Sequence, residues 1–470
     1  MLALFDQTIL DKYNTPAPRY TSYPTALSFK HDFNASDYTQ AIEAGATANH
    51  QQALSLYIHI PFCHSLCYYC GCNKIVTRHA HKADEYIDYL VKEILSRAND
   101  FNRYQVRQIH FGGGTPSFLS ATQLQKILSI IKSTFSCADQ IDLGIEIDPR
   151  RIAVTYIDEL ACLGFNRLSI GVQDVNTDVQ EKINRVQSTI FIHELVSRAK
   201  MRSFTSVNLD LIYGLPSQTI QAFDKTLDEI IAIDPDRISL FSYAHLPEQF
   251  AAQRKIKDEW LPNAQDKMAL LQLSVNRLTQ AGYIFIGMDH FAKPEDELCK
   301  ALDKGELHRN FQGYTTKQYS ALLGLGVSSI SSIDSIYVQN SKDLKDYYAR
   351  IDNGCAVDSS ASTQDPSVFI DKGVCLSQDD LIRRDVIQML ICNFSLNMSS
   401  IENQHGIVFD QYFAKELSQL KAFEAEGLLY LTPHQIIVAE KGRMIIRHIC
   451  MKFDAQLSTA AHHNRFSKGI

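Results

Sequence analysis

The sequence predicts an α/β fold: a partial (β/α)6 barrel, preceded by an N-terminal arm and followed by a mostly helical, winged-helix-like C-terminal domain. Three observations predict it. Short apolar runs recur between helical stretches from Ser55 to Asp289, and strands separated by helices imply a parallel sheet. Polar residues gather at the C-terminal ends of those runs, the face on which an α/β barrel binds its ligands. Near residue 335 the pattern stops and gives way to helices and one hairpin. The expected divisions are an arm (1–52), a barrel (53–335), a linker (336–372) and a C-terminal domain (373–470).

Each element follows from its local pattern. The arm holds Pro-Tyr-rich pieces, notably PAPRYTSYPTA from Pro16 to Ala26, and little periodicity. LYIHI (Leu56 to Ile60) is the first strand, and the helix from about Ala83 carries Ile87, Leu90, Ile94 and Leu95 as an apolar stripe. QIHF, ending at Phe111, runs into Gly112, Gly113 and Gly114, with a helical pattern around Leu124 to Ile131. In IDLGIEID, Ile141, Leu143, Ile145 and Ile147 alternate, which puts Glu146 on the opposite face of a strand. RLSIGVQ, SVNLDLIYG, RISLFSYAH and YIFIGMD repeat the theme. His59, the three glycines, Glu146, Gln173, Asp210, Tyr243 and His245 fall at strand ends. One such residue would simply cap a strand; the succession points to a common site. Beyond a Ser/Ala/Asp/Thr-rich stretch from Asp358 to Ser367, LIRRDVIQMLICNF and QYFAKELSQLKAFEAEG read as helices and LLYLTPHQIIVAEKG as a hairpin.

Composition narrows the function. The 470 residues are 45% hydrophobic and 21% charged, enough for a full-sized core and too apolar for bulk disorder. Lys+Arg 46 against Asp+Glu 53 gives −7, without the basic excess of a general nucleic-acid or anionic-membrane binder. No stretch approaches the roughly 18 apolar residues of a membrane span. MLALFDQTILDKYN lacks a basic n-region and is interrupted by Asp6, so a cytoplasmic location is expected. In that reducing compartment the 11 cysteines point to metal or redox chemistry rather than disulfides. Cys137, Cys162, Cys299, Cys355, Cys375, Cys392 and Cys450 are scattered and read as small buried hydrophobes.

Cys63, Cys67, Cys70 and Cys72 fall in one window, CHSLCYYCGC. Structural zinc usually takes four ligands in two separated pairs, and no matching second pair is present, although His59, His64, His79 or His81 could complete such a site. The other reading has Cys63, Cys67 and Cys70 bind three irons of a [4Fe–4S] cluster, leaving the fourth iron open. The Gly-Gly-Gly-Thr-Pro strand end is not a Walker loop, since no Gly-Lys-Ser/Thr follows.

PRYTSYPTA, LYIHIPFCHSLCYYCGCNKIVTR, IHFGGGTPSFL, FNRLSIGVQD, DLIYGLP, FSYAHLP, AAQRKIKD, GMDHFA and HRNFQGYTT carry a wider resemblance. Together they resemble the oxygen-independent coproporphyrinogen III oxidases within the radical S-adenosylmethionine (SAM) superfamily, and IRRDVI and ICNF extend the likeness into the C-terminal domain.

The resemblance implies a radical SAM barrel and a [4Fe–4S] cluster ligated by Cys63, Cys67 and Cys70, with Cys72 a non-ligand near the active site. It implies two molecules of SAM, the first contacted by Tyr57, Gly113, Glu146 and Ile330, the second by Tyr69, Gly114, Thr115, Gln173, Arg185, Asp210 and Ala244. The implied substrate is coproporphyrinogen III, with ring A and B propionates converted to vinyls. The implied form is a monomer with an unidentified electron donor and no nucleic-acid partner. Arg19 is either a carboxylate partner in the active site or a tie between arm and barrel. The segment from Asp352 to Asp371 is longer and more polar than the family pattern and is expected on the surface. The main alternative is a haem chaperone of the HemW type, whose members lack the RYTSYPTA arm and commonly the cysteine matching Cys72. Radical-dependent methylation or ring opening of haem, and a zinc-structured winged-helix regulator, are further alternatives.

Overall fold

A computed structural model describes residues 6–46, 52–316, 321–355 and 366–458. Its centre is one twelve-stranded sheet. In chain order its strands are β1 (Gln52–Ile60), β2 (Tyr104–Gly113), β3 (Ser136–Ile147), β4 (Arg167–Gln173), β5 (Ser206–Tyr213), β6 (Arg237–Ser242), β7 (Ile284–Gly287), β8 (His290–Ala292), β9 (Ala321–Leu325), β10 (Ile330–Ile333), β11 (Ile336–Asn340) and β12 (Ile370–Cys375). They lie in the order β12-β11-β10-β9-β1-β2-β3-β4-β5-β6-β8-β7. β9 and β1 through β6 run parallel, as the strand–helix alternation requires. The flanking pairings are antiparallel. The two edges do not pair with each other, so the barrel is partial.

Alternation assigns the faces. On β1, Leu54, Leu56, Ile58 and Ile60 are fully buried, sharing one core with Ile87, Leu90 and Ile94 of the helix His81–Ser96. Each such side chain contributes about 1.5–3 kcal/mol of transfer free energy. Tyr57 and His59 occupy the other face, toward the sheet's concave side. Leu95 departs from expectation: it is 53% exposed, because one residue beyond Ile94 turns it about 100° off the apolar stripe.

Two expectations need correction. YIFIGMD does not add a parallel barrel unit; β7 is an edge strand that reaches the sheet through β8, antiparallel to both β7 and β6. The expected linker, 336–372, instead contains β11, the helix Leu344–Cys355 and the start of β12, so the sheet continues as an antiparallel meander. Residues 356–365, which include most of the Ser-rich stretch, lie outside the described residues.

The C-terminal elements match their patterns. The helix Gln378–Asn393 opens on a capping box made by Ser377 and Asp380. Helices Met398–His405 and Ala414–Ala425 follow, and the hairpin Leu429–Leu431 with Gln435–Val438 joins Ser395–Asn397 in a three-stranded sheet. Among the scattered cysteines, Cys299, Cys392 and Cys450 are buried as expected and Cys137 is half-buried. Cys162 and Cys375 are exposed, the first on an outer helix and the second at the end of edge strand β12. The Cys355 side chain lies outside the described residues.

One buried carboxylate fastens the layers beside β1. Glu93, fully buried, accepts from the Gly326 N–H, the Tyr347 hydroxyl and the Asn340 amide, each at 2.7 Å. Tyr86, from the same helix, donates to the His59 carbonyl at 2.6 Å and accepts from the Val327 N–H at 3.1 Å. Removing the carboxylate strands three donors. Glu93→Ala is therefore expected to cost about 2–4 kcal/mol, read as a lower urea midpoint; an unmoved midpoint would show that these bonds do not hold the layers together.

Candidate active site

The cysteine loop leaves β1 and returns to it. Phe62–Cys63 pairs in parallel with Ile75–Val76, and the Ile75 N–H donates to the Pro61 carbonyl at 2.7 Å, so Cys67, Cys70 and Cys72 lie on a closed excursion. The loop is also pinned from outside. The Tyr68 N–H donates to the Ile183 carbonyl at 3.0 Å, and the Asn184 amide donates to the Leu66 carbonyl at 2.7 Å.

All four thiols are free; Cys63 and Cys67 are buried, Cys70 is half-buried and Cys72 is exposed. Donors surround the sulfurs. Thr115 Oγ1 donates to Cys63 Sγ at 3.2 Å, while Arg150 Nη2 and Arg185 Nη1 donate to Cys67 Sγ at 3.3 and 3.5 Å. The Cys72 N–H donates to Cys70 Sγ at 3.4 Å, and Lys74 Nζ donates to the Cys70 carbonyl at 3.0 Å. Burial pushes the Cys63 thiol up to about 11. The Cys72 thiol, with Lys74 beside it, brings Cys70 down to about 6, and the same pairing pushes Cys72 well up.

This donor set fits an iron–sulfur cluster. Cationic and hydroxyl donors aimed at sulfur stabilise thiolates, the form that binds iron. Among the described residues no three His, Cys, Asp or Glu side chains converge on a point that one metal ion could occupy. The nearby histidines are engaged otherwise: His59 with the Asn73 carbonyl at 3.2 Å, His64 against the Phe118 ring at 4.4 Å between centroids.

A cavity of about 400 Å³ opens beside the loop. Tyr57, Gly113, Glu146 and Ile330 line it, and so does Cys72. Gly113 has φ +116°, and a Cβ there would lie 2.6 Å from the His59 ring, so the glycine keeps open a cradle that any side chain would fill. Burial lowers His59 to about 4, leaving it neutral at pH 7. Burial and the nearby Glu146 push the Tyr57 hydroxyl well up. Tyr57 stacks on His110, which meets Glu146 Oε1 at 3.2 Å. The cavity thus presents an uncharged aromatic wall, one carboxylate, Glu146, and one cationic side chain, Lys342.

The other seven positions do not line that cavity: Tyr69 is on the cysteine loop, Gly114 and Thr115 follow β2, Gln173 ends β4, Arg185 is on the loop after the helix Thr177–Lys182, Asp210 is within β5 and Ala244 lies just beyond β6. Arg185, 5% exposed, donates to the Gly171 carbonyl at 2.6 Å and meets Asp148 at 3.1 Å. Burial alone would raise Asp148, but Arg185 and Arg150 hold it at about 2. Gln253 donates to the carbonyls of Tyr69 at 3.0 Å and Ala244 at 3.2 Å, joining cysteine loop to strand end. Gly114 lies against the end of β1, its N–H donating to the Ile60 carbonyl at 2.8 Å. Gln173 holds φ +68° at the end of β4. Asp210 accepts from Asn208 at 2.8 Å and Ser169 at 3.2 Å, yet burial and Glu146 raise it to about 6.

Sequence reasoning missed Asp148, Arg150, Gln253, Phe311 and Gln312. Asp148 and Arg150 immediately follow β3, a strand-end signal that was available, and Gln253 sits in the quoted AAQRKIKD stretch. Phe311 and Gln312 form the tip of the hairpin His308–Asn310/Gly313–Thr315 and line the cavity. Arg19 lies in the arm, its Nη1 3.4 Å from Asp289 Oδ2.

Comparison with known proteins places this geometry. The Radical SAM superfamily model matches residues 57–230, and the HemN C-terminal domain model matches residues 376–445. The oxygen-independent coproporphyrinogen III oxidase of Salmonella typhimurium is 49% identical over 466 residues, covering 99% of this chain and 98% of its own. The enzymes of that name from Escherichia coli and Pseudomonas aeruginosa are 48% and 44% identical over similar spans. The solved structure of coproporphyrinogen III oxidase (HemN) from Escherichia coli, described as a radical SAM enzyme, superposes with a TM-score of 0.90 at 47% identity, covering 97% of this chain and all of that one. With likeness running from arm to C-terminal domain, the chain belongs to the oxygen-independent coproporphyrinogen III oxidase family, whose barrel is that of the radical SAM enzymes and whose cofactors are a [4Fe–4S] cluster and SAM.

Proposed function

We propose that the protein carries out the anaerobic oxidative decarboxylation of coproporphyrinogen III to protoporphyrinogen IX in haem biosynthesis, acting as a cytoplasmic monomer. Among the described residues no helix is long and apolar enough to cross a membrane. The observation that carries the reading is the cavity at the strand ends, walled by Tyr57, Gly113 and Glu146 and flanked by three free thiols on one loop. When bound, the cluster and SAM would supply the radical chemistry that removes a β-hydrogen from a propionate, so that CO2 leaves, one electron passes to an electron acceptor and a vinyl group remains.

The chain's own residues hold and orient. Cys63, Cys67 and Cys70 would ligate the cluster, with Thr115, Arg150 and Arg185 compensating thiolate charge. The Gly113 cradle and Glu146 would receive the first SAM, a carboxylate being the natural acceptor for its amino or hydroxyl groups. Ile330 supplies an apolar contact on the same wall. Tyr69, Gly114, Thr115, Gln173, Arg185, Asp210 and Ala244 would hold a second SAM, and Gln253 braces two of them. The RYTSYPTA arm supports oxidase over chaperone, because Tyr20 and Tyr23 are buried rather than vestigial.

Reconstituted protein given coproporphyrinogen III, SAM and a reductant without oxygen is expected to yield protoporphyrinogen IX, CO2 and 5′-deoxyadenosine, and Cys67→Ser to yield none. Tight haem binding with no decarboxylation would instead favour the chaperone.

Gly113→Ala is expected to weaken SAM binding at least tenfold while leaving the cluster's absorbance near 400 nm intact, since the added Cβ strikes the His59 ring. Equal SAM affinity in variant and wild type would displace Gly113 from the site.

Asp210 makes a pH-dependent prediction. Its folded value, about 6, lies above the unfolded value near 4, so its stabilising contribution is full below about pH 4 and is lost as pH rises through about 6. Asp210→Asn is expected to flatten the urea-midpoint profile of the ligand-free protein across that window; an unchanged slope would mean that Asp210 titrates normally.

A further inference from the structure

Two lysines without a carboxylate partner stand at the rim of the cavity beside the cysteine loop. Lys342 belongs to the cavity lining and is itself exposed, so it lies at the mouth. Its backbone is fixed there: its carbonyl accepts from the Asn73 amide of the cysteine loop at 3.1 Å, and Asn73 lines the same cavity. Lys372 reaches that rim from β12. Ile330 of β10, Gln339 of β11 and Lys372 of β12 are paired in register, so their side chains share one face of the sheet. The first two line the cavity, and Lys372 extends their row by one strand. A chain of rings makes the same connection. Phe311, also on the lining, meets Tyr337 edge-on at 5.6 Å, Tyr337 stacks on Phe29 at 6.0 Å, and Lys372 Nζ is 5.9 Å from the Phe29 ring centre.

The carboxylates nearby are engaged elsewhere. Asp371, next to Lys372, meets His31 at 3.3 Å and Arg350 at 3.4 Å. Asp343, next to Lys342, accepts from the Asp346 N–H at 2.9 Å, and Glu146 meets His110 at 3.2 Å. Among the described residues neither lysine makes an ion pair. Instead they act on each other, since burial and Lys342 lower the Lys372 pKa against the pull of Asp371. Two like charges held at one rim are relieved by an anion placed between them. The cavity's size indicates which anion. At about 400 Å³ it takes one small-molecule ligand, and the Gly113 cradle and Glu146 suit SAM. A tetrapyrrole must then present an edge at the mouth, where its carboxylates meet the rim.

We propose that Lys342 and Lys372 hold one carboxylate of the tetrapyrrole at the mouth of the cavity, with Lys342 as the direct donor and Lys372 as the second charge. An ammonium on a flexible stem suits this place, because it can follow a flexible propionate as a point charge. Anchoring one propionate at the rim fixes the edge from which another reaches inward. The assignment rests on the reading of coproporphyrinogen III as substrate.

The test measures KM of the anaerobic holoenzyme separately for coproporphyrinogen III and for SAM. Lys342→Gln is expected to raise the KM for coproporphyrinogen III about tenfold with a much smaller fall in kcat, and Lys372→Gln about threefold. Lys342→Arg, which keeps the charge, should restore most of the loss. Added salt should raise that KM in wild type and raise it less in Lys342→Gln, which lacks the pair that salt screens. The KM for SAM and the cluster absorbance are expected to match wild type. Neither substitution removes a hydrogen bond or ion pair within the described residues, so the variants test binding rather than folding. An active wild type whose KM for coproporphyrinogen III is unmoved in both glutamine variants overturns the site alone. A rise confined to the KM for SAM also overturns it, by giving the lysines to the SAM carboxylate. A wild type inert toward coproporphyrinogen III overturns the substrate reading and the site with it.

Discussion

The constraint on which the rest depends is the backbone packing at the end of β1. There the Gly114 N–H meets the Ile60 carbonyl, and a Cβ on Gly114 would lie 2.7 Å from the Pro61 carbonyl oxygen. Any other residue would push β2 away from the point at which the cysteine loop departs. On the opposite side Tyr86 bonds the His59 carbonyl, while Glu93 binds the chain just beyond β9. The loop therefore starts from a strand end fixed on both flanks. That rigidity lets the excursion from Cys63 to Val76 present its thiols reproducibly, with the pairing of those two residues closing it.

Electrostatics then separates two regions built on that frame. Around Cys67 the fold gathers a buried Arg185 and a half-buried Arg150, and among the described residues their carboxylate partner is Asp148. Without thiolate charge nearby, the second guanidinium would be poorly compensated. Around the 400 Å³ cavity the choice is reversed: His59 is neutral, Tyr57 keeps its proton and Glu146 is the wall's carboxylate. Glu146 can meet the cationic part of a ligand there, and Lys342, also on the lining, can meet an anionic part. The two regions share β1, so the distance between cluster and cavity is set by the strand.

What was legible in the sequence was what local chemistry decides. The alternation in IDLGIEID placed Glu146 on the inner face, and the cysteine spacing marked the loop that the structure closes. The misses are decided by pairings that a local pattern does not reveal, some with near neighbours and some with residues far away in the chain. β7 has an ordinary strand pattern, yet only its pairing with β8 shows that it is an edge. Residues 336–340 read as linker because a meander strand that is fully buried lacks alternation, and its neighbours β10 and β12 lie on either side in sequence. Gln253 reaches Tyr69 across 184 positions and Arg150 reaches Cys67 across 83, so no window of sequence could contain either pair. Cys162 and Cys375 show the converse, since burial of a lone cysteine depends on the face its element presents.

The arm explains why a chain of net charge −7 can concentrate arginines where it does. Its backbone carbonyls at Ala17 and Arg19 accept from Arg447 and Arg309, its Tyr20 hydroxyl bonds Asp454 at 2.8 Å, and its Tyr23 carbonyl accepts from Tyr337. The arm is thus stitched to the C-terminal domain, the cavity hairpin and the sheet at once. Neutral carbonyls satisfy guanidinium donors without adding charge, so the arm orders two arginines through its backbone. A carboxylate in the same role would have ordered them equally well but neutralised them. Backbone acceptors in the arm thus tie an arginine of the cavity hairpin and one of the C-terminal domain to the same short segment, which makes the arm a structural link between them.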